Sequence, residues 1–468
     1  MELALLLAAV AGIVVCAFLP PFALVPAAVA GLGPRGLGVR GRTSRLVWTR
    51  RLSTLAAVFT ILELLIVAVG AIAAGLAGAV VAAAIVATGN PAVLDVALAI
   101  TRPIEDALAE TFVRQATVRL EQVRPIVVAV TGSYGKTTTK GYIAHLIGAA
   151  RDTVASPLSY NNKAGLSRTV NEHLGPATQV LVAEIGAYGP GEIAALCDWM
   201  NPQIAVITAI GPAHLERFKS LDHTLAAKAE ITRNAGVVVL NADDERLAGL
   251  AKVLEAAGTK VVRASGTSPD ADVAVLAVPD GIELRVGRRR LGIAVTGPSD
   301  RPTALSNAAC AVGVSVELGV APEALLPRLA TLPVPPNRLQ RYVAAGGYVV
   351  LDDTFNSNPT GGRLALARLQ AEGVTGRKVV VTPGMVELGA SQHDENAAFG
   401  AAAAAIASHV VIVARTNRQA LSAGAGQAPG GAEVVVVDRL DEAVAWVRAL
   451  LGPGDAVLYE NDLPDHFP

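Results

Sequence analysis

Residues 131–140 read Thr131-Gly132-Ser133-Tyr134-Gly135-Lys136-Thr137-Thr138-Thr139-Lys140. An apolar, β-branched segment precedes them at residues 126–130, and a segment typical of a helix follows at residues 141–147. This order predicts a strand, a glycine turn and a helix N-terminus, where backbone N–H groups and the helix dipole attract phosphate. We expect ATP to bind there, with Lys136 neutralising the phosphates and the Thr137 hydroxyl holding Mg²⁺. The predicted nucleotide loop consists of Gly132, Ser133, Tyr134, Gly135, Lys136, Thr137 and Thr138.

The spacing of this loop is shorter than in the usual P-loop, which has a glycine five residues before Gly135. Here Val130 occupies that position, so the pattern is G-x-x-G-K-T. Such a short pattern also fits a tight turn that merely ends a buried strand. Motifs elsewhere in the chain must therefore decide between the two interpretations.

The composition excludes several classes of protein. Hydrophobic residues make up 52% of the 468 residues and charged residues 17%, and the net charge is -1. Because no basic excess is present, nucleic acid is not an expected partner. Cys16, Cys197 and Cys310 are widely separated, which indicates neither a zinc ribbon nor a disulfide framework. This pattern favours a reduced, cytosol-facing protein.

Two apolar stretches precede the nucleotide loop and predict membrane spans. Residues 3–30 carry no charge, and residues 52–89 carry one acid, Glu63. About 20 apolar residues cross a bilayer as a helix, so the second stretch fits one tilted helix or two short spans that turn near residues 70–75. The loop between the stretches is rich in arginine, which favours a cytoplasmic position. We therefore predict three spans in the cytoplasmic membrane, with the catalytic domains in the cytoplasm; a signal peptide is disfavoured because no basic segment precedes residue 3.

From residue 124 onward, strand-like and helix-like segments alternate. This alternation predicts α/β domains with parallel sheets. Residues 260–300 instead contain short β-prone pieces that indicate a small antiparallel patch, and the prolines of residues 332–336 predict a boundary near 335. The predicted organisation is transmembrane helices at 1–90, an amphipathic connector at 91–123, an ATP-binding domain at 124–335 and a Rossmann-like domain at 336–468.

Several polar residues follow predicted strands or begin predicted helices. Glu184 ends one strand, His214 follows the next, and Lys228 lies on a later helix. Groups at the carboxyl ends of parallel strands converge on the ligand crevice, and carboxylate and hydroxyl groups suit Mg²⁺. Taken singly, each residue has a simpler explanation: Glu184 as a strand-end cap, His214 as a loop histidine, Lys228 as a solvated helix residue, and Asn161-Asn162 as a turn.

Jointly and in this order, the motifs resemble the Mur ligases of peptidoglycan synthesis, and most closely the branch that adds D-alanyl-D-alanine (MurF type). The resemblance covers about residues 124–460. It implies a P-loop α/β ATPase domain followed by a Rossmann-like C-terminal domain, after N-terminal spans.

The resemblance also implies roles for individual residues. Lys136 matches the lysine on the ATP phosphates, Thr137 and Glu184 match ligands of a first magnesium, and His214 matches the ligand of a second. Lys228 matches a lysine that family members often carry as a carbamate. Asn161 and Asn162 match asparagines near the γ-phosphate and the acceptor carboxylate. The remaining matches are Asn307 for adenine, Arg338 facing the nucleotide, Asp353 for the ribose and domain hinge, and residues 384–389 with His393 near the incoming amine.

Two departures from the family pattern concern the substrates. The family's N-terminal domain for the UDP group has no counterpart, since apolar stretches occupy its place. A Lys-Gly-Ser-Arg segment near the end of the adding enzyme is replaced here by residues 459–465, which contain Glu460, Asp462 and Asp465. We expect these acids to suit a cationic amine better than a dipeptide carboxylate.

The implied reaction is ATP-dependent amide formation through an acyl phosphate, joining a carboxylate acceptor to an amino acid or dipeptide. A membrane-associated acceptor, such as a lipid-linked cell-wall precursor, would fit the predicted spans. Two alternatives remain open: a membrane-anchored synthetase of the poly-γ-glutamate type, and a nucleotide-binding membrane scaffold without ligase activity.

Overall fold

The computed structural model describes residues 48–187, 189–212, 215–295, 305–355, 357–428 and 431–463. The chain divides into two compact units, Met1–Phe112 and Val113–Pro468. The first predicted span, residues 3–30, lies outside the described residues.

The described part of the first unit is formed by helix α1, Arg50–Val123, which continues into the second unit. The backbone of α1 is non-helical at Ala74 and Gly75, close to the turn expected near residues 70–75. Glycine tolerates the positive φ of 63° at position 75. Among the described residues, α1 is the one helix that is both long enough and apolar enough to cross a membrane. This judgement rests on length and composition only.

A nine-stranded sheet organises the middle of the chain, in the order β2-β3-β1-β4-β5-β6-β7-β8-β9. Strands β1 to β7 are paired in parallel, and β8 and β9 add the antiparallel patch expected between residues 260 and 300. The strands are β1 Ile126–Thr131, β2 Thr153–Ala155, β3 Val180–Glu184, β4 Ile204–Ile207, β5 Val237–Asn241, β6 Lys260–Ser265, β7 Val273–Val278, β8 Gly281–Val286 and β9 Arg289–Val295.

Helices cover both faces of this sheet, which explains why its central strands are continuously apolar. One core includes Ile143 and the buried face of the helix that begins at Leu305, and the other includes Leu166 and Ile193. The helices are α2 Lys136–Ile147, α3 Lys163–His173, α4 Glu192–Met200, α5 Leu215–Phe218, α6 Leu221–Ala229, α7 Glu245–Ala256, α8 Leu305–Glu317 and α9 Pro322–Leu329.

A second, six-stranded sheet has the order β10-β11-β15-β12-β13-β14. Its strands are parallel except β10, which pairs antiparallel with β11. The strands are β10 Gln340–Val343, β11 Val349–Asp353, β12 Lys378–Thr382, β13 His409–Val413, β14 Glu433–Val437 and β15 Ala456–Glu460, and the helices are α10 Pro359–Ala371, α11 Gln392–Ile406, α12 Arg418–Gly426 and α13 Leu440–Leu450.

These two sheets confirm the predicted α/β architecture with a middle and a C-terminal domain. The short strands β2, β6 and β10 were not predicted. The boundaries at 90, 123 and 335 remain predictions.

Candidate active site

The predicted nucleotide loop connects the carboxyl end of β1 to the N-terminus of α2, as expected. Gly135 has a φ of 78° and is the N-cap of α2. A Cβ at position 135 would lie 2.6 Å from Oδ1 of Asn307, so a larger residue would displace that amide. Asn307, the predicted adenine contact, belongs to α8 and is 8% exposed. Its short distance from position 135 shows that its amide lies directly against the loop.

The loop is also hydrogen-bonded to the chain that follows β4. Ser133 Oγ donates to the carbonyl of Gly211 at 3.1 Å, and the backbone N–H of Ser133 donates to the carbonyl of Ala209 at 2.8 Å. A Cβ at Gly211 would lie 2.2 Å from the ring of Tyr134. The loop conformation is thus fixed by the chain that follows β4. Thr138 occupies the first turn of α2.

Lys136 folds back over the loop. Its Nζ donates to the carbonyls of Gly132 at 2.7 Å and Ser133 at 3.3 Å. Burial lowers the pKa of Lys136, the carboxylate of Glu184 opposes this shift, and the cation of Arg338 adds to it.

Glu184 is the point where the predicted site residues converge. It is 1% exposed at the end of β3, and its register partner on β1 is Val130, immediately before the loop. Its carboxylate accepts from Thr137 Oγ1 at 2.9 Å, from Lys140 Nζ at 3.1 Å and from Asn161 Nδ2 at 3.3 Å. A buried carboxylate with these partners is stabilised by hydrogen bonds and an opposite charge.

The side chains of the two predicted asparagines have different hydrogen-bond partners. Asn161 faces Glu184, and a Cβ at Gly186 would lie 2.8 Å from the Asn161 amide carbon. Asn162 is the N-cap of α3, where its side chain accepts from the backbone N–H of Gly165 at 2.9 Å. The simpler explanation, a structural turn residue, therefore describes Asn162 in this conformation.

Lys228 is buried, not solvated, at 3% exposure near the end of α6. Its Nζ lies 5.6 Å from the centre of the Phe218 ring. Burial, followed by the nearby cation of Lys136, lowers the pKa of Lys228 from 10.5 to about 7. A substantial fraction of neutral amine is therefore present at neutral pH.

Arg338 and Asp353 lie together where the middle domain meets the C-terminal domain. The Arg338 guanidinium stacks 4.2 Å from the centre of the Phe355 ring, and Asp353 Oδ1 accepts from the N–H of Leu339 at 3.0 Å. Burial raises the pKa of Asp353 to about 6, although Arg338 acts in the opposite direction. The charge of Arg338 also reaches Lys136 and Glu184, which connects the C-terminal domain electrostatically to the nucleotide loop.

His214, the predicted ligand of a second magnesium, lies outside the described residues. Within the described ranges, no group of three or more His, Cys, Asp or Glu side chains could hold a metal ion. The possible magnesium ligands that lie together are the Thr137 hydroxyl and the Glu184 carboxylate. These hard oxygens suit Mg²⁺ when phosphate and water complete its coordination shell. The donor chemistry thus fits one magnesium.

Of the three acids expected near the amine, Glu460 differs from an exposed, charged side chain. This residue is 0% exposed at the end of β15, and its carboxyl group accepts from Thr382 Oγ1 at 2.8 Å and from Ser357 Oγ. Burial raises the pKa of Glu460 to about 8. With this pKa, Glu460 is largely protonated at neutral pH. Asp465 lies outside the described residues.

The residues 384–389 predicted near the amine form a loop after β12 that three buried amides support. Asn396 accepts from the N–H of Met385 at 2.8 Å, and Asn417 and Asn461 donate to the carbonyls of Pro383 at 3.0 Å and Gly384 at 2.6 Å. His393 is exposed on α11, with Nδ1 3.3 Å from Asp394 Oδ1.

Sequence reasoning assigned no role to Lys140, and it noted Asp243 only as part of the run at residues 241–244. Lys140 is 4% exposed and pairs with Glu184. Asp243 accepts from the N–H of Gly266 at 2.7 Å and Thr267 Oγ1 at 2.7 Å, which fixes the chain after β6. Lys140 lies one turn after Lys136 on the same helix face, and that spacing was the available signal.

Comparisons with known proteins agree with this geometry. The Mur ligase middle domain matches residues 130–314, and the Mur ligase glutamate ligase domain matches residues 337–459. The UDP-N-acetylmuramoyl-tripeptide–D-alanyl-D-alanine ligase of Mycobacterium tuberculosis is 32% identical over 362 residues, 71% of this chain and 69% of the relative. That of Escherichia coli is 29% identical over 344 residues, 70% of this chain and 75% of the relative.

Solved structures support the same assignment. MurF from Acinetobacter baumannii superposes with a TM-score of 0.63 at 26% identity and covers 76% of this chain and 77% of its own. The MurF ligase of Thermotoga maritima in complex with ADP has a TM-score of 0.64 at 24% identity, covering 76% and 80%, and supports the fold.

The predicted location in the cytoplasmic membrane is wrong. The relatives are named as UDP-N-acetylmuramoyl-tripeptide–D-alanyl-D-alanine ligases, and nothing in these similarities supports an inner-membrane protein or a membrane partner. The prediction was based on the apolar stretches 3–30 and 52–89 and on the arginine-rich loop between them. For α1, which contains the second stretch, length and composition are weak indicators of a span.

The non-ligase scaffold alternative also fails, because the matches cover both catalytic domains of ATP-dependent ligases. The glycine loop, the buried carboxylate and the two-domain architecture agree with the identity to curated ligases, and this chain belongs to the Mur ligase family of ATP-dependent ligases.

Proposed function

We propose that the protein joins a carboxylate of a cell-wall peptide precursor to an amine through an acyl phosphate. The observation that carries this proposal is the convergence of Thr137, Lys140 and Asn161 on the buried Glu184 beside the phosphate loop. Amide formation from ATP requires positioned reactants and neutralised phosphate charge more than a nucleophilic side chain.

In the proposed first step, an acceptor carboxylate oxygen attacks the γ-phosphorus, the bond to the bridging oxygen breaks and ADP leaves. Lys136 lies within the glycine loop, so a modest movement of its Nζ from the carbonyl of Gly132 would bring it to the phosphates. Arg338 would add positive charge from the domain boundary. Both cations would stabilise negative charge that develops on the phosphate oxygens.

In the second step, the neutral amine attacks the acyl carbon, the carbon–oxygen bond to phosphate breaks and the amine loses a proton. Asn161, which faces Glu184, is proposed to orient the acceptor carboxylate. The loop 384–389 is proposed to approach the amine, because ligands of parallel α/β sheets bind at the carboxyl ends of the strands.

Thr137 and Glu184 are the proposed holders of a magnesium ion, and His214 is proposed for a second. Bound magnesium would supply Lewis-acid neutralisation of the phosphates.

Lys228 is proposed to carry a carbamate. A neutral amine is needed to react with CO₂, and the lowered pKa of Lys228 provides one at neutral pH. The modification would replace a cation by an anion close to Lys136. We expect Lys228→Ala to lose at least 90% of turnover and to regain part of it in millimolar formate, because formate can supply the missing carboxylate. No rescue by formate, with folding intact, would contradict the carbamate.

The ligase proposal is tested by phosphate release from ATP with candidate substrates. One arm offers UDP-N-acetylmuramoyl-tripeptide with D-alanyl-D-alanine, the substrates named for the relatives. Other arms offer a lipid-linked peptide acceptor and amines without a carboxylate. Phosphate release that no acceptor stimulates would contradict the proposal, and product mass would separate single addition from the poly-γ-glutamate type of extension.

A further inference from the structure

Lys140 forms a buried ion pair that the proposed reaction steps do not use. Its Nζ lies 3.1 Å from Glu184 Oε2, and the two residues are 4% and 1% exposed. Lys140 and Lys136 are four residues apart on α2 and therefore lie on the same face of that helix. The second cation is thus directed to the carboxylate beside the phosphate loop.

Lys140 also makes a second contact, which reaches a different part of the chain. Its Nζ donates to the backbone carbonyl of Leu158 at 2.5 Å. Leu158 has a φ of 45°, in the left-handed region that leucine rarely adopts, and its side chain is 76% exposed. The turn around Leu158 is closed by the N–H of Tyr160, which donates to the carbonyl of Pro157 at 3.0 Å, and the contact with Lys140 adds a side-chain hydrogen bond to the same turn.

The segment around Leu158 is the loop from Ser156 to Asn162, between β2 and α3. Both of its ends are fastened to the same strand end: Ser156 Oγ accepts from the N–H of Glu184 at 3.1 Å, and Asn161 Nδ2 donates to Glu184 Oε1 at 3.3 Å. The backbone carbonyl of Asn161 also accepts from the N–H of Gly186 at 2.8 Å. Between these ends, Lys140 is the residue that connects the loop, through the carbonyl of Leu158, to the carboxylate of Glu184.

We propose that Lys140 is a positioning residue that holds the 156–162 loop against Glu184, so that Asn161 is presented to the acceptor. Its ammonium group bridges the Glu184 carboxylate and the Leu158 carbonyl, and it thereby connects the nucleotide side of the site with the acceptor side. The part that concerns the acceptor rests on the proposed ligase function.

The first test is amide hydrogen exchange of the full chain with ADP bound. In Lys140→Met, we expect peptides that cover residues 156–166 to exchange about tenfold faster than in the wild type, because the loop loses its central contact. Lys140→Arg keeps a donor and a charge and should restore most of the protection. Lys252→Met, an exposed lysine on α7, is the matched control and should leave the exchange unchanged.

Unchanged exchange of this loop in Lys140→Met would overturn the proposal. Removal of Lys140 leaves a buried carboxylate without its cation, which lowers the stability of the single variant. The double variant Lys140→Met with Glu184→Gln removes both charges, and it should show the same local increase in exchange if the loop depends on Lys140.

The second test separates positioning from general stability. In Lys140→Met assayed with UDP-N-acetylmuramoyl-tripeptide, D-alanyl-D-alanine and ATP, we expect the KM for the tripeptide acceptor to rise about tenfold. The KM for ATP should stay within about twofold, and Lys140→Arg should recover much of the acceptor affinity. An equal rise in both KM values would contradict the acceptor-specific role. If the wild type uses no acceptor, the ligase proposal fails, whereas hydrogen exchange still decides the role of Lys140.

Discussion

Glu184 shows how single residues acquire their roles in this molecule. Its sequence pattern is one that any buried strand would share. Its hydrogen-bond partners, however, belong to α2 and to the loop before α3. A hydroxyl, an ammonium and an amide all donate to one carboxylate. The residue is therefore better described as the centre of a polar network than as a strand-end cap.

Lys136 provides a prediction about catalysis at the residue scale. We expect Lys136→Met to reduce kcat about 10²- to 10³-fold, because a cation directed at developing phosphate charge is lost in a water-poor site. Acceptor-stimulated phosphate release measures this loss. Lys252→Met serves as the control, and a loss below fivefold in Lys136→Met would contradict the role of Lys136.

Lys228 provides a prediction about pH. Its pKa falls from 10.5 to about 7 on folding, so between these values the unfolded chain binds the additional proton. The free energy of unfolding should therefore rise with pH between about 7 and 10.5. Below pH 7, Lys228 is protonated in both the folded and the unfolded state, and the full cost of burying the cation is present. Lys228→Met should be more stable than the wild type at pH 7.

The difference in free energy of unfolding between Lys228→Met and the wild type should decrease by about 1 kcal/mol per pH unit between pH 7.5 and 9.5. Urea unfolding in bicarbonate-free buffer at several pH values measures it. The difference between Lys252→Met and the wild type should not depend on pH, and a constant advantage of Lys228→Met would show that its pKa is not depressed.

At the scale of elements, helix α7 and the chain after β4 share one cap. Asp244 accepts from the N–H groups of Arg246 at 3.0 Å and Leu247 at 3.3 Å, and also from the N–H of Ile210 at 2.7 Å. One carboxylate thus caps the N-terminus of α7 and holds the backbone at Ile210, four residues before His214.

We expect Asp244→Ala to lower the free energy of unfolding by about 1–2 kcal/mol, since it removes a cap and leaves the Ile210 N–H unpaired. Denaturant unfolding measures this loss. Asp244→Asn retains an acceptor oxygen and should lose less than half as much; an equal loss in both variants would indicate that charge, not hydrogen bonding, is decisive.

At the scale of the whole molecule, the second unit begins inside α1, not at β1. Ala116 is 0% exposed, Thr117 Oγ1 accepts from Trp199 Nε1 at 2.6 Å, and Arg119 Nε donates to the carbonyl of Leu174 at 2.6 Å. The last turns of α1 therefore belong to the middle domain.

This arrangement predicts different outcomes for two truncations. A chain of residues 113–468 should fold and keep the acceptor-dependent turnover of the full chain within about threefold. A chain of residues 124–468 should lose about 2 kcal/mol or more of stability, because it lacks the buried turn and two hydrogen bonds. Thermal unfolding of both chains measures this, and equal midpoints would contradict the packing role of residues 113–123.

Features that depend only on neighbouring residues could be predicted from the order of residues along the chain. Strand, glycine loop and helix follow one another over some 20 residues, so their order predicted the phosphate loop and the α/β class without further information. Ordered motifs along the chain then indicated the Mur ligase family, which the similarities confirmed.

Features that depend on strand register and on burial could not be predicted in this way, because they arise when distant segments pack together. The pairing of Val130 with Glu184 brings the loop to the carboxylate. Burial, together with the nearby charges of Lys136 and Asp353, lowers the pKa of Lys228 to about 7 and raises that of Glu460 to about 8. Apolar composition likewise indicated a membrane protein, although the same composition is compatible with a helix that is not a span. Desolvation and contacts between distant residues are properties of the packed chain, and no local pattern of residues encodes them.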